Sequence, residues 1–327
     1  MDVQNIKNVG NILQEYANQE LVIVFSAMGK VTNMLENVVD SYVQKSANAN
    51  IALQKVKDFH AEIINTLFVK EHPIFDEVNN LFVEIEWVLE EEPNQDYAYD
   101  YDQIVSIGEF LSTRIMSAYL SQISFENTWL DARDLIRTDN SYRNAKVDWE
   151  TTTTFIKNTI KDKHNITQGF IGCTSENFTS TLGREGSDFT AAILAYCLDA
   201  KEVVIWKDVP GMMNADPKHF ADAQLLNKVS FDEAIELAFF GAKVIHPKTI
   251  KFFANQYIPL HVRCFATPEK EGTIIHDCEI GSMPPVIIYK ESQCLVSFKA
   301  KDFSFVNGQE LSRIFAVLHE LGMHIHI

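Results

Sequence analysis

From residue 168 to residue 264 the chain alternates between apolar runs of strand length and segments with helical spacing, and that order leaves few folds open. "QGFIGCT" reads as a strand, residues 187–199 as a helix, "EVVIWKDV" as a strand, "SFDEAIELAFFGAKVI" as a helix and "IPLHVRCF" as another strand. Strands separated by helices pair in parallel, and the crossing helices then cover both faces of the sheet. An earlier unit has the same form. Leu21 to Phe25, "LVIVF", is an unbroken β-prone run that suits a strand covered on both faces, and after Ser26 a loop leads into a helix near Thr32. The expected fold is α/β, a three-layer αβα sandwich around a mainly parallel sheet. Ligands in such folds sit beyond the carboxyl ends of the strands.

The rest of the chain is read around this frame. Residues 3–18 are an amphipathic helix with Ile6, Val9, Ile12 and Leu13 on one side, and residues 33–120 are mostly helical, including "SIGEFLSTRIMSAYL". The acidic tract "EIEWVLEEEPNQDYAYDYD" reads as a solvated helix end and loop, and "TWLDARDLIRTDNSY" as a strand end and loop. After "GTIIHD" the composition shifts. "SMPPVIIYKESQCLVSFKAKDFSF" suggests a strand pair, "GQELSRIFAVLHELG" a helix and "MHIHI" the start of a strand. The expected division is a domain over 1–280 and a second, partial α+β segment over 281–327.

Charge and composition narrow the functions. The formal net charge of −17 argues against nucleic acid as a main partner, because phosphate backbones need clustered positive charge. Cys173, Cys197, Cys264, Cys278 and Cys294 form no CxxC pair, and no histidine cluster has ligand spacing, so they read as buried, reduced thiols with no side-chain metal site. The opening "MDVQNIKNVGNIL" lacks the basic start and apolar core of a signal peptide, and no apolar run reaches the ~20 residues a membrane helix needs. A cytoplasmic location without a membrane partner is expected.

The stretch "TLGREGSDFTAAILAYCLDA", Thr181 to Ala200, carries the chemistry. Gly183 and Gly186 permit a sharp turn and close approach of a ligand. The helix start behind them offers free N–H groups and a partial positive charge to an anion. Arg184 can grip a carboxylate with two parallel hydrogen bonds, and Asp188 can act on a reacting group or a metal. The plainer alternative is a helix cap, with Ser187 capping, Asp188 complementing the dipole and Arg184 solvated. The strand "EVVIWKDV" ends at Lys207 and Asp208 and feeds a turn-rich loop with Asp216 and Lys218, which is either a nucleotide site or a simple connection. Lys243 follows a helix closed by Gly241 and can meet phosphate as a point charge or stay solvated. His246 reads as structural. Neither G-x-x-x-x-G-K-[ST] nor a G-x-G-x-x-G after a strand is present.

Seven segments in order, "VIVFSAMGKVTN", "SIGEFLSTRI", "LDARDLIRTDN", "TLGREGSDFTAAILA", "VVIWKDVPGMMNADPK", "SFDEAIELAFFGAKVIHPKTI" and "IPLHVRCFATPEKEGTII", together resemble the aspartokinases of the amino acid kinase family. The likeness covers residues 1 to about 276, and the remainder looks like the start of an ACT-type regulatory region. The resemblance implies the carbamate kinase-like fold and ATP-dependent phosphorylation of the L-aspartate side-chain carboxylate with Mg²⁺, the first step toward lysine, threonine, methionine and diaminopimelate. It implies a homodimer or higher oligomer. It assigns the aspartate pocket to Thr32, Glu109, Arg184 and Ser187, with Glu109 on the substrate ammonium and Arg184 on a carboxylate. Asp188 and Arg184 are its catalytic pair. ATP contacts fall to Ser26, Ala27, Lys207, Asp208, Met213, Lys218 and Lys243. The resemblance expects the family's opening strand and "KFGGTS" loop to lie ahead of Met1, and the ACT region to stop inside its first unit. Against the common pattern, Glu185 replaces glycine, Lys207 threonine, Met213 tyrosine and Lys218 arginine. The alternative implied is a catalytically inactive binding member that acts as a regulatory subunit.

Overall fold

The computed structural model describes residues 3–46, 48–183, 186–242, 244–279, 284–289, 296–298 and 307–321. The elements run α1 (Val3–Glu15), β1 (Leu21–Phe25), α2 (Val31–Val43), α3 (Ala49–Leu67), α4 (Ile74–Glu90), α5 (Tyr97–Val105), α6 (Ile107–Gln122), β2 (Thr128–Trp129), α7 (Ala132–Leu135), β3 (Arg137–Thr138) and α8 (Trp149–Thr159). They continue with β4 (His164–Gln168), β5 (Ile171–Thr174), β6 (Thr179–Thr181), α9 (Gly186–Cys197), β7 (Val203–Lys207), β8 (Lys228–Ser230), α10 (Phe231–Phe240), α11 (Pro247–Gln256), β9 (Leu260–Cys264), β10 (Thr273–His276) and α12 (Gly308–Glu320). The chain divides into two compact units, Met1–Ile288 and Tyr289–Ile327.

The first unit is the expected αβα arrangement of mainly parallel strands, but these form three sheets rather than one, in the orders β1-β4-β2, β3-β5-β6 and β7-β9-β10-β8. The pairs β1–β4, β2–β4, β3–β5, β7–β9 and β8–β10 are parallel; β5–β6 and β9–β10 are antiparallel. One core joins the helices α2 to α6 through Val31, Leu35, Ile104, Leu111 and Ile115. A second joins β7, β9 and β10 to α10 and α11 through Ile205, Val262, Ile275, Leu237 and Phe253.

Three expectations are corrected. "QGFIGCT" is not one strand: β4 ends at Gln168, Phe170 takes a positive φ of 72°, and β5 starts at Ile171 in another sheet. The apolar run of β1 is not covered on both faces, since Leu21 to Val24 are only half-buried, whereas the polar β4, "HNITQ", is buried throughout. Position decides this. β4 lies between β1 and β2, and the side chains at its two ends find partners: Gln168 Oε1 accepts from Ala132 N–H at 2.7 Å and the His164 ring nitrogens face Glu126 O and Ala17 O, whereas Asn165 Oδ1 and Thr167 Oγ1 have none among the described residues. The acidic tract is not all solvated either. Its end folds into α5 and buries Asp100, Tyr101 and Asp102. The expected strand pair in 282–305 and the strand after Gly322 lie mostly outside the described residues. In the second unit, α12 occupies the expected helix, with Asn307 Oδ1 accepting from the N–H groups of Gln309 and Glu310 at 2.9 and 3.2 Å.

Candidate active site

The site is built where strand tips meet helix starts. β1 and β4 pair in parallel from Leu21↔His164 to Phe25↔Gln168, so their carboxyl ends lie side by side. Gly169 N–H donates to Phe25 O at 2.9 Å and closes that edge. A Cβ on Gly169 would stand 2.4 Å from the Cβ and Oγ of Ser187, so only glycine lets α9 begin directly on this tip. Thr190 fastens the first turn of α9: its Oγ1 accepts from Phe170 N–H at 3.0 Å and donates to Gly186 O at 2.9 Å. The turn into the helix passes through Gly183 at φ 84°, a conformation that side chains rarely take.

The same helix start reaches a second sheet, because α9 packs on both β1 and β7. Lys207, the last residue of β7, donates from Nζ to Asp188 Oδ2 at 2.7 Å. Their side chains are 26 % and 13 % exposed, so the ion pair is partly withdrawn from water yet open on one side. The sequence assigns Asp188 to the catalytic pair and Lys207 to the nucleotide. The fold brings them into contact.

Glu109 sits in the first turn of α6. Gly108 wedges that turn against Leu35, Val31 and Ala27, which a Cβ there would meet at 3.0, 3.1 and 3.4 Å. This sets the loop after β1, with Ser26 and Ala27, beside the start of α2, where Thr32 is half-buried. Glu109 is 3 % exposed, and its Oε2 has no hydrogen-bond partner among the described residues. Burial pushes its carboxyl up to about 8, against the opposing pull of a hydrogen bond from the Ala27 N–H. A buried carboxylate with a free oxygen is unfavourable until a cation reaches it.

The remaining expected positions are dispersed. Asp208 and Lys218 are exposed on the loop leaving β7, and Met213 is half-buried in a bridge to Leu225. Lys218 N–H donates to Asp216 Oδ1 at 2.9 Å, which closes a turn. Arg184 and Lys243 lie outside the described residues. His246 caps α11, its Nδ1 facing Lys248 N–H at 3.1 Å, in line with a structural role.

Two supporting residues escaped sequence reading. Asp102 accepts from Thr181 N–H and Oγ1, both at 2.7 Å, and from Arg143 N–H at 3.0 Å, and so anchors the strand that delivers the Gly183 turn. Burial pushes its carboxyl up to about 6, against the hydrogen bonds from Thr181 and Arg143. Gln168 donates from Nε2 to Thr113 Oγ1 at 2.9 Å, and Thr113 Oγ1 donates to the Glu109 carbonyl at 3.0 Å, which ties the Glu109 turn to the tip of β4. Asp102 was hidden in an acidic run, and only the glycine after Gln168 hinted at a tip.

Charged groups thus lie in the first turns of α6 and α9, two helices that pack against parallel strands, an arrangement suited to small charged ligands. The chain belongs to the amino acid kinase family, whose model matches residues 2–264. It is 29 % identical to the lysine-sensitive aspartokinase 3 of Escherichia coli K12 over 326 residues, 97 % of this chain and 71 % of that protein. It is 30 % identical over 339 residues to the chloroplastic aspartokinase 1 of Arabidopsis thaliana, 99 % of this chain and 58 % of that one. The crystal structure of E. coli aspartokinase III with aspartate and ADP matches all of this chain and 73 % of its own, with a TM-score of 0.82 at 26 % identity. The two curated relatives are therefore longer than this chain.

Proposed function

We propose that this chain is an aspartate kinase, which transfers the γ-phosphate of ATP to the side-chain carboxylate of L-aspartate to give 4-phospho-L-aspartate and ADP. This is the first step toward lysine, threonine, methionine and diaminopimelate. The observation that carries the reading is Glu109: a buried carboxyl with an oxygen that has no partner among the described residues is what the ammonium of an amino acid would satisfy. In this reading Thr32 and Ser187 complete the aspartate pocket. Arg184 holds a substrate carboxylate and Asp188 organises the transfer site. Ser26, Ala27, Lys207, Asp208, Met213, Lys218 and Lys243 serve the nucleotide.

The acceptor carboxylate and the polyphosphate repel each other, so the chain's task is to hold both and neutralise the charge between them. Magnesium enters this reading as MgATP. Among the described residues no three His, Cys, Asp or Glu side chains converge, so the phosphate oxygens would be its main ligands. Residues 1–280 are the catalytic domain in this reading and 281–327 an ACT-like regulatory segment. It places the protein in the cytoplasm as a homodimer or larger; among the described residues no helix is long and apolar enough to cross a membrane. The inactive-subunit alternative draws no support from relatives named for the kinase.

The test is a hydroxylamine trap with MgATP and L-aspartate, with L-glutamate and N-acetyl-L-glutamate as controls. Aspartyl hydroxamate from L-aspartate alone is the expected result. No hydroxamate from any of the three at saturating ATP would sink the reading.

A further inference from the structure

We propose that Lys207 is the cation that draws negative charge from the transferring phosphoryl group, and that Asp188 holds it aimed until the nucleotide arrives. The nucleotide half of this inference stands on the ion pair itself. The acceptor half rests on the aspartate kinase reading.

Four observations converge on it. Lys207 ends β7, and its ammonium meets Asp188 Oδ2 at 2.7 Å in the first turn of α9. That turn is where α9 meets both the β1–β4 tips, through Ser187 against Gly169, and the tip of β7. Ligands held at either sheet therefore meet beside it. The pair is partly withdrawn from water, where a unit charge acts more strongly than in bulk solvent, yet the Lys207 side chain keeps about a quarter of its surface exposed to an arriving ligand. Finally, Glu109 Oε2 is buried and has no partner among the described residues, in the helix turn that packs on Ala27 just after β1, which marks a position for a cationic group of a ligand.

The chemistry follows from the donor count. An ammonium has three N–H donors, and Asp188 engages one. Two remain for phosphate oxygens, and the flexible lysine stem lets the group shift without leaving its partner. A polyphosphate at the start of α9 is drawn by the helix N-terminus but lies beside the Asp188 carboxylate, so the two anions need a cation between them. In the transfer an oxygen of the acceptor carboxylate attacks the γ-phosphorus. The new O–P bond forms as the P–O bond to the β-phosphate breaks, and the electron pair leaves with ADP. No proton moves. Lys207 remains an ammonium and shifts from Asp188 toward the phosphate oxygens. Lys207 is thus a catalytic residue, and Asp188 acts through it as a positioning residue.

The experiment uses the full chain, with calorimetric titration of MgATP and AMP alongside the hydroxamate assay. Lys207→Met is expected to weaken ATP binding by about tenfold and leave AMP binding unchanged, which also reports an intact fold. Turnover falls by about a hundredfold with little change in KM for aspartate. Lys207→Arg recovers part of both losses. Asp188→Asn, which removes the carboxylate countercharge and its repulsion of phosphate, tightens ATP binding by about threefold, and this gain disappears in the Lys207→Met background. ATP affinity and turnover within about twofold of wild type in Lys207→Met, with a lowered Tm alone, would overturn the inference and leave a purely structural ion pair. ATP binding that depends on Lys207 without aspartyl hydroxamate overturns aspartate as acceptor and upholds the cation. Hydroxamate formation indifferent to Lys207→Met does the reverse. A protein that binds no ATP overturns both.

Discussion

Glu109 and Asp188 occupy equivalent places in two parts of the molecule. Each lies in the first turn of a helix, α6 and α9, where unsatisfied N–H groups favour a carboxylate. Their surroundings differ. Glu109 is 3 % exposed, takes a hydrogen bond from the Ala27 N–H, and has one oxygen that meets no donor among the described residues. Asp188 meets the ammonium of Lys207 from another sheet. One carboxyl is therefore held against ionisation by burial, while the other carries its countercharge with it. The contrast shows that a helix N-terminus alone does not set the charge state of its acid; the neighbouring element does. In the kinase reading, the unpaired site waits for a cationic ligand group and the paired site for an anionic one.

The comparison can be broken most severely at Asp188. Asp188→Asn keeps the shape but removes the countercharge that holds Lys207, and turnover is expected to fall by up to about 100-fold, the cost expected for losing the lysine itself. Steady-state kinetics checks this, and a loss below about threefold would place Asp188 outside the chemistry.

At the other acid, Glu109→Gln is expected to weaken aspartate binding by about 10- to 100-fold, the range for a hydrogen bond to a charged group. MgATP binding should be untouched. Equal loss of both ligands in calorimetry would show a folding defect rather than a lost ammonium site.

The charge states can also be compared directly. The native Glu109 carboxyl titrates at about 8, above its ordinary 4.5, so between those values the folded chain holds a proton that the unfolded chain releases. Its contribution is fully present below about pH 4.5 and is lost as pH rises through 8. Chemical denaturation from pH 5 to 8.5 should show this decline, and Glu109→Gln should flatten it. An arriving ammonium favours the carboxylate, so aspartate binding near pH 7 should release a proton. Titrations in two buffers of different ionisation enthalpy measure it, and identical heats would count against an ammonium beside Glu109.

Smaller effects are expected away from the two acids. Asp102→Ala leaves two N–H groups and the Thr181 hydroxyl without their buried acceptor and should cost about 1–3 kcal/mol in denaturant unfolding. It should also raise KM more than it lowers kcat, through the Gly183 turn. Lys45→Ala breaks an exposed ion pair with Glu92 and should change stability by less than about 1 kcal/mol.

The fold was legible wherever local pattern and burial agree. "EVVIWKDV" and "IPLHVRCF" became β7 and β9, and "SFDEAIELAFFG" became α10, begun by a capping box between Ser230 and Glu233 and closed at Gly241 with φ 139°. Strand β4 was missed because "HNITQ" is polar, and the burial of its last residue, Gln168, rests on partners as distant as Thr113 and Ala132. Asp102 was read as solvated because a run of acids is usually a wet surface. Its acceptor role depends on Thr181, 79 positions away. Within the site, the strand-end position of Lys207 and the first-turn position of Asp188 were readable, but their contact was not.

The sequence by itself determined the strands β1, β7 and β9, the helix starts that carry Glu109, Ser187 and Asp188, and the strand end that carries Lys207, because helical spacing, caps and apolar runs are local properties. Only the tertiary structure decided which strand is central, where Gly169 breaks the run, and which acid is paired. Those outcomes turn on the close approach of segments far apart in the chain, and burial and charge pairing are energies of that approach.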